Sequence, residues 1–337
     1  MRAADAGLAS GAGGVPRSGG VALIGDPVGH SLSPAMQRAA FDATALAWTY
    51  EAVRVTREEL PEAWPALAAR YAGLNVTIPL KEDVARLVDR RSPAAEATGS
   101  VNTVVFARTA RAGGLSGDPG DPGVPAGAGG AGGAGESFGD STDGEGFMAA
   151  VLRAVPAPPR RAVVLGTGGA ARAVAHALAA AGAEVLVAGR NADAGRRLAA
   201  DLGTGVGFTG ADPREALASL GAGDLLANAT PVGGVADPAG SPLPKGMPLR
   251  PGLVVFDLVY RPRRTALLRR AEAAGCVVVE GVEMLIEQGA RSFALWTGRE
   301  APLDAMRAAA RIALAEPADP PGAGAGTDTR AGTGTSR

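Results

Sequence analysis

The stretch Val163-Val164-Leu165-Gly166-Thr167-Gly168-Gly169-Ala170-Ala171-Arg172 is an apolar run that breaks into glycines and resumes as an alanine-rich helix. No other part of the chain constrains the fold as much, because a strand turning this sharply into a helix opens a dinucleotide-binding unit. Gly166 permits the tight turn, Gly168 lets the backbone approach a pyrophosphate, and Ala171 takes the third small position, where helix and strand pack closely. A helix beginning near Ala170 aims its free N–H groups and positive dipole end at phosphate. Because the chain holds 50 glycines, the pattern alone weighs equally for a plain strand-turn-helix. Its surroundings tip the balance.

Around it, strands at 162–165, 184–188, 224–231, 253–258 and 276–280 alternate with helices at 170–181, 193–202 and 265–274. Such alternation predicts a parallel, doubly wound sheet whose ligands lie beyond the carboxyl ends of the strands. Helices at 282–295 and 303–315 close the segment expected to be ordered.

At 337 residues the chain has room for two domains. Hydrophobic residues are 46% and aromatic ones only 4%, so sizeable cores must be packed mainly with Ala, Val and Leu. A net charge of -1 argues against nucleic acid or a membrane surface as partner. The single cysteine, Cys276, excludes an internal disulfide and a Cys-based zinc cluster, and two histidines make a His-rich metal site improbable. Cys276 reads as a small buried residue in a Val-rich run. No run approaches the ~20 apolar residues of a membrane span, and no apolar stretch follows basic residues at the N-terminus, so a cytoplasmic location is expected. Residues 1–20, about 107–137 and 316–337 are rich in Gly, Ala, Pro or Thr and cannot offset their conformational entropy by burial. They are expected to be a disordered leader, a solvated insertion and a disordered tail.

The first half begins with a short buried strand at 21–24, then the loop Asp26-Pro27-Val28-Gly29-His30-Ser31-Leu32-Ser33-Pro34 and a helix at 35–43. Ser33 before Pro34 reads as an N-cap followed by an N1 proline. Ser31 is not needed for capping, and two hydroxyls beside a helix N-terminus could instead bind a small anion such as a carboxylate. A strand at 48–55 and a helix at 58–69 follow, then Asn75-Val76-Thr77-Ile78-Pro79-Leu80-Lys81, a strand cut off by a proline. Lys81 stands at the mouth of the helix 82–89, where anions are favoured; by itself it reads as a solvated surface lysine. A strand at 100–106 carries Asn102 and Thr103, and Asp143 precedes a helix at 146–154, placed either to cap it or to project.

Together with Gly25-Asp26-Pro27, Val101-Asn102-Thr103, Thr142-Asp143-Gly144, Asn228-Ala229-Thr230-Pro231, Asp257-Leu258-Val259-Tyr260-Arg261-Pro262, Gln288-Gly289-Ala290, Phe293 and Trp296-Thr297-Gly298, these motifs resemble the shikimate dehydrogenase family. The likeness covers nearly all of the segment expected to be ordered. It implies an α/β protein of two domains. The first, 21–142 plus 282–315, is a substrate domain with a mixed sheet; the second, 143–281, is a doubly wound Rossmann domain; the active site lies in the cleft between them. It also implies NADP-linked interconversion of 3-dehydroshikimate and shikimate. By the resemblance, Ser31 and Ser33 hold the substrate carboxylate, Asn75, Thr77, Asn102, Asp143 and Gln288 contact ring hydroxyls, and Lys81 pairs with Asp143 beside the reacting one. Tyr260 joins the substrate contacts. Cofactor contacts fall to Gly166, Gly168, Gly169, Ala170, Arg190, Asn228, Ala229, Thr230, Leu258, Gly281 and Met284.

The chemistry makes sense of this inventory. A hydroxylated ring acid needs many neutral donors and acceptors, since each buried polar group left unpaired costs about 1–3 kcal/mol. Hydride leaves carbon as a proton leaves oxygen, so one titratable group must stand within hydrogen-bond reach of that oxygen. His176 falls in the cofactor-domain helix and His30 in the carboxylate loop, which leaves Lys81 as proton relay and Asp143 as its orienting partner.

Cofactor choice is read at the end of the second strand of the nucleotide unit. No acid stands there to hold ribose hydroxyls, and Arg190 can pair with a 2′-phosphate. The family's NADP members show Asn-Arg-Thr and a second arginine three residues on. Here Gly189 and Asn191 flank the arginine, Ala194 takes the second arginine's place, and Asp193 adds a negative charge that Arg196 or Arg197 could offset. NADP with a weakened preference is expected. Ser141 replaces the family's Asn before Thr-Asp. Two alternatives stay open: a quinate or quinate/shikimate dehydrogenase with relaxed or NAD cofactor use, and a non-catalytic module that senses cofactor or metabolite. A monomer or homodimer is expected.

Overall fold

The computed structural model describes residues 19–107, 136–244 and 246–315. Of the leader, insertion and tail, only border residues lie inside this range. Gly19 and Gly20 already belong to the first strand, and Ser137 belongs to a later one, so the low-complexity borders read from composition run slightly too far.

The first sheet is formed by β1 (Gly19–Gly25), β2 (Trp48–Arg54), β3 (Gly73–Val76), β4 (Arg90–Arg91), β5 (Thr103–Phe106) and β6 (Ser137–Asp140). Its spatial order is β2-β1-β3-β5-β6-β4. Here β1 runs parallel to β2 and β3, while β5 runs antiparallel to β3 and β6, so the sheet is mixed. The Ala107 N–H donates to the Glu136 carbonyl at 2.9 Å, continuing the β5–β6 pairing. β5 and β6 thus form an antiparallel pair whose strands border the low-complexity run on either side.

Four helices cover this sheet: α1 (Ser33–Ala43), α2 (Leu60–Arg70), α3 (Lys81–Leu87) and α4 (Pro93–Thr98). Ile24, Leu60, Leu67, Leu74, Val84 and Ala95 form one core beneath it. After α5 (Asp143–Ala154) comes a second sheet of β7 (Arg161–Leu165), β8 (Glu184–Ala188), β9 (Val206–Phe208), β10 (Leu225–Asn228), β11 (Val254–Asp257) and β12 (Val277–Glu280). Its order is β12-β11-β10-β7-β8-β9 and every pairing is parallel. The order reverses at β7, so the crevice above its carboxyl end is the topological switch point.

Between and after these strands run α6 (Gly169–Ala180), α7 (Ala192–Leu202), α8 (Arg214–Ala218), α9 (Ala266–Ala273), α10 (Gly281–Thr297) and α11 (Leu303–Ala315). The second sheet is buried on both faces by small aliphatic side chains, as the composition requires. In contrast, α10 and α11 return to the first sheet: Ile286, Phe293, Trp296 and Met306 share a core with Val21, Leu23, Met36 and Phe41. The α10 helix also packs closely on α5, where Gly146 leaves no room for a methyl group against the backbone of Gln288.

Two local expectations are corrected and a third, left open between two alternatives, is decided. Leu32, not Ser33, occupies the cap position of α1, with no side-chain cap; Ser33 is the first helical residue, and its N–H donates to Ser31 Oγ at 3.2 Å. Pro34 is pre-set for the first turn and lets the helix begin a residue earlier. Asp143 does not cap either: Thr142 holds that place, Asp143 opens α5, and its carboxylate turns inward. Cys276 is half-buried just before β12, its Sγ donating to the Arg250 carbonyl at 3.3 Å.

Candidate active site

A cavity of about 380 Å³ lies between the carboxyl end of β3, the starts of α1 and α5, and the inner face of α10. Its wall contains every residue expected to touch substrate: Ser31, Ser33, Asn75, Thr77, Lys81, Asn102, Asp143, Tyr260 and Gln288. Ala170, Leu258, Gly281 and Met284, expected on the cofactor side, line it as well. Sequence reasoning missed the rest of the apolar wall, including Ile78, which is 65% exposed. The only signal for Ile78 was its place beside Pro79, in a segment that cannot continue a ladder.

Lys81 and Asp143, 62 residues apart, meet because the chain leaves β3 after Val76, turns through Thr77 to Leu80, and brings the first residue of α3 to the start of α5. Lys81 Nζ donates to Asp143 Oδ2 at 2.5 Å, and Asn102 Nδ2 donates to Asp143 Oδ1 at 2.7 Å. Both carboxylate oxygens are therefore held, which fixes the plane of the group and the position of the ammonium. The side chains are 21% and 9% exposed, so the pair is shielded but open to the cavity. At the other end, Ser31 and Ser33 stand at the N-terminus of α1, whose first turn has no acidic residue and no side-chain cap. The positive end of the helix and two hydroxyls suit a carboxylate.

Beneath the cavity floor runs a hydrogen-bonded layer. Tyr50 donates to Asn75 Oδ1 at 2.7 Å, and Asn75 Nδ2 reaches Ser292 Oγ at 3.0 Å, the Asn102 carbonyl at 3.2 Å and Thr103 Oγ1 at 3.3 Å. Burial drives the Tyr50 phenol far above its ordinary pKa, the Ser33 hydroxyl opposing the shift. Tyr50 and Ser292 also escaped the sequence reading. Ser292 lies one turn beyond Gln288 on the same face of α10, a helical spacing that offers a faint signal.

The remaining expected cofactor residues sit apart from this cavity, around the switch point. Gly166 has φ +122, and a Cβ there would stand 2.9 Å from the Ala229 carbonyl oxygen, so the turn requires glycine. A Cβ on Gly168 would meet nothing within 4 Å, which leaves open space in front of α6. That helix has no side-chain cap and no acid in its first turn, unlike α7, which Asn191 caps by accepting from Ala194 N at 3.0 Å. An uncapped N-terminus facing open space fits a dinucleotide pyrophosphate. Arg190 is exposed and forms no hydrogen bond or ion pair with the described residues, so it is free for a phosphate. Asp193, feared as an opposing charge, pairs with Arg196 at 2.7 Å.

The Asn228 side chain is fully buried: it donates to Asp257 Oδ1 at 2.8 Å and accepts from Thr230 Oγ1 at 2.6 Å. What Asn228, Ala229 and Thr230 offer a ligand is thus chiefly loop shape. Burial raises the Asp257 carboxyl, while Thr265, the Val259 N–H and Asn228 oppose the rise.

Comparison with known proteins agrees with this geometry. Residues 23–104 match the shikimate dehydrogenase substrate binding domain, and residues 281–311 match the shikimate 5'-dehydrogenase C-terminal domain. The shikimate dehydrogenase (NADP(+)) of Methanopyrus kandleri is 43% identical over 297 residues, 86% of this chain and 93% of that protein. A crystal structure of shikimate 5-dehydrogenase from Thermus thermophilus with NADP(H) and shikimate superposes with a TM-score of 0.72. It is 38% identical and the match covers 88% of this chain and 99% of that one. The quinate dehydrogenase of Corynebacterium glutamicum, in complex with NAD, gives a TM-score of 0.72 at 29% identity, covering 87% and 98%. From its motifs, its two sheets and these relatives, the chain belongs to the shikimate dehydrogenase family.

Proposed function

We propose that the protein is a shikimate dehydrogenase that reversibly reduces 3-dehydroshikimate to shikimate with NADPH. The observation that carries this reading is the Lys81–Asp143 pair at 2.5 Å in a cavity that also holds two serines at a helix N-terminus and four neutral amide or hydroxyl side chains. The serines at the positive end of α1 take the ring carboxylate, while Asn75, Thr77, Asn102 and Gln288 pair with ring hydroxyls. Tyr260 and Ile78 exclude water from the apolar side of the ring. NADP, when bound across Gly166–Ala170 and Arg190, supplies or accepts the hydride at the ring carbon.

In reduction, the Lys81 ammonium gives a proton to the carbonyl oxygen as the carbon is reduced; in oxidation, neutral Lys81 takes that proton back. Asp143 orients Lys81 through Oδ2 and is itself held in place by Asn102. We assign the substrate unit to 21–142 plus 282–315 and the nucleotide unit to 143–281, with closure of the cleft gating turnover. We also take the protein to be cytoplasmic and a monomer or homodimer.

A second reading, a quinate-oxidising enzyme that uses NAD, draws on the likeness to the C. glutamicum enzyme and on Ala194 in place of a second arginine. Absorbance at the NADPH band, with purified protein offered shikimate or quinate and NADP or NAD, separates the two. The proposal expects shikimate with NADP to give the highest kcat/KM. Faster turnover of quinate with NAD overturns it.

A further inference from the structure

Asn75 lines the cavity, but Tyr50, Thr103 and Ser292, which bond its side chain, do not. Its Nδ2 carries two hydrogens and faces three acceptors within 3.3 Å: Ser292 Oγ, the Asn102 carbonyl and Thr103 Oγ1. Both donors are therefore committed inside the protein. Its Oδ1 accepts one bond, from the Tyr50 hydroxyl at 2.7 Å, and keeps a second lone pair. The opposite amide orientation is closed off. It would set Oδ1 against the Asn102 carbonyl, which can only accept.

The hydroxyls reinforce that polarity. Ser292 can donate to the Gln288 carbonyl at 3.1 Å and Thr103 to Asn102 Oδ1 at 3.2 Å, so each hydroxyl has an outlet for its proton other than Asn75 and can accept from Nδ2. Tyr50, Thr103 and Ser292 are at most 1% exposed and Asn75 is 4% exposed, where an unmade hydrogen bond is costly and the arrangement is rigid.

We propose that Tyr50, Thr103 and Ser292 hold Asn75 as an obligatory hydrogen-bond acceptor, so that the site demands a donor hydroxyl on its ligand at that point. These three are positioning residues acting through Asn75. The inference deepens the proposed function and rests on it for the identity of the ligand, a hydroxylated ring acid.

The test uses the full chain, with shikimate and with analogues carrying fluorine in place of one ring hydroxyl at a time. Fluorine accepts but cannot donate. The wild type is expected to discriminate at least 10-fold in kcat/KM against fluorine at the one hydroxyl that faces Asn75, and Asn75→Ala to abolish that discrimination. Ser292→Ala, which removes one of the three acceptors of Nδ2 and loosens the amide, is expected to raise KM for shikimate about 10-fold, to leave KM for NADP within 2-fold, and to shrink the fluorine discrimination below 3-fold. A general structural defect would not produce that selective relaxation. In the Asn75→Ala background, Ser292→Ala and Tyr50→Phe should add less than 2-fold.

Full additivity with Asn75→Ala, or unchanged discrimination in Ser292→Ala, overturns the proposal. Tyr50→Phe is nearly isosteric and serves if Ser292→Ala does not fold. A wild type inactive on shikimate refutes the functional reading alone. The layer is then judged by hydrogen exchange of the Asn75 side-chain amide, assigned by its absence in Asn75→Ala. The Nδ2 protons should exchange at least 10-fold faster in Ser292→Ala than in the wild type, and equal rates overturn the inference.

Discussion

Replacing Gly146 by alanine should separate folding from function through a contact outside the cavity. Gly146 lies in the first turns of α5, and a Cβ built on it would stand 2.6 Å from Gln288 N, 2.7 Å from Gln288 Cβ and 2.9 Å from Gln288 Cα. Two of these three are main-chain atoms of α10, so no rotamer change relieves the contact. To reach an ordinary separation, α10 must move from α5 by about 0.8 Å at Gln288, a residue that lines the cavity. Overpacking of this kind costs about 1–3 kcal/mol, and the helix propensity gained on leaving glycine returns about 1 kcal/mol. The net loss is at most about 2 kcal/mol, and melting falls by only a few degrees. Displacement of a contact residue by about 1 Å costs on the order of a hundredfold in rate. Thermal unfolding followed by far-UV circular dichroism, together with NADPH-linked kinetics, should show a folded protein with kcat/KM reduced 30- to 100-fold. A variant with wild-type kcat/KM and a raised melting temperature, the outcome of helix propensity alone, would refute the account of the α5–α10 contact.

Three further outcomes follow from single groups. Arg190→Ala should raise KM for NADP at least 10-fold and leave KM for NAD within 3-fold, because Arg190 is the exposed cation at the end of β8 that pairs with no described residue; equal effects on both cofactors would dismiss its phosphate role. The folded state binds a proton at Asp257 more tightly than the unfolded chain, so this carboxyl's contribution to stability falls as pH rises above about 4. Asp257→Asn removes that fall, and the variant's urea midpoint should improve relative to wild type between pH 4 and pH 7; a constant or shrinking difference contradicts the sign. The Ser141 hydroxyl is buried with no hydrogen-bond partner among the described residues, so Ser141→Ala should be neutral or raise stability by up to about 1 kcal/mol, and a loss beyond 1 kcal/mol in urea unfolding would show a missed contact.

Much of this was legible before any coordinates, for physical reasons. Long elements such as α6, α10 and α11 carry an apolar stripe that repeats over several turns, and the parallel strands of the second sheet are short apolar runs bounded by glycines. By contrast, β4, β9, α4 and α8 span only two to six residues, too few for any period to declare itself, and all four were unanticipated. The cap of α1 failed for a different reason. Ser33-Pro34 satisfies the local rule for a cap, yet the helix gains a residue when Ser31 takes over the bond to the Ser33 N–H.

The reactive pair could be named because Lys81 and Asp143 each sit in a recognisable motif, whereas the layer around Asn75 joins β2, β3, β5 and α10, with 217 residues between Asn75 and Ser292. No local pattern encodes such a contact. Asn228 shows the converse: its motif marked the right loop, but its side chain turns inward to brace Asp257.

The central claim is that Lys81 moves the proton while Asp143 aims it, and the kinetics of Lys81→Ala test it most directly. General acid–base catalysis by a positioned group contributes about 10²–10⁴-fold. With shikimate and NADP, the variant should lose at least 100-fold in kcat, keep KM for NADP within 3-fold of wild type, and melt within a few degrees of it. A Lys81→Ala enzyme with near-normal kcat would contradict the account.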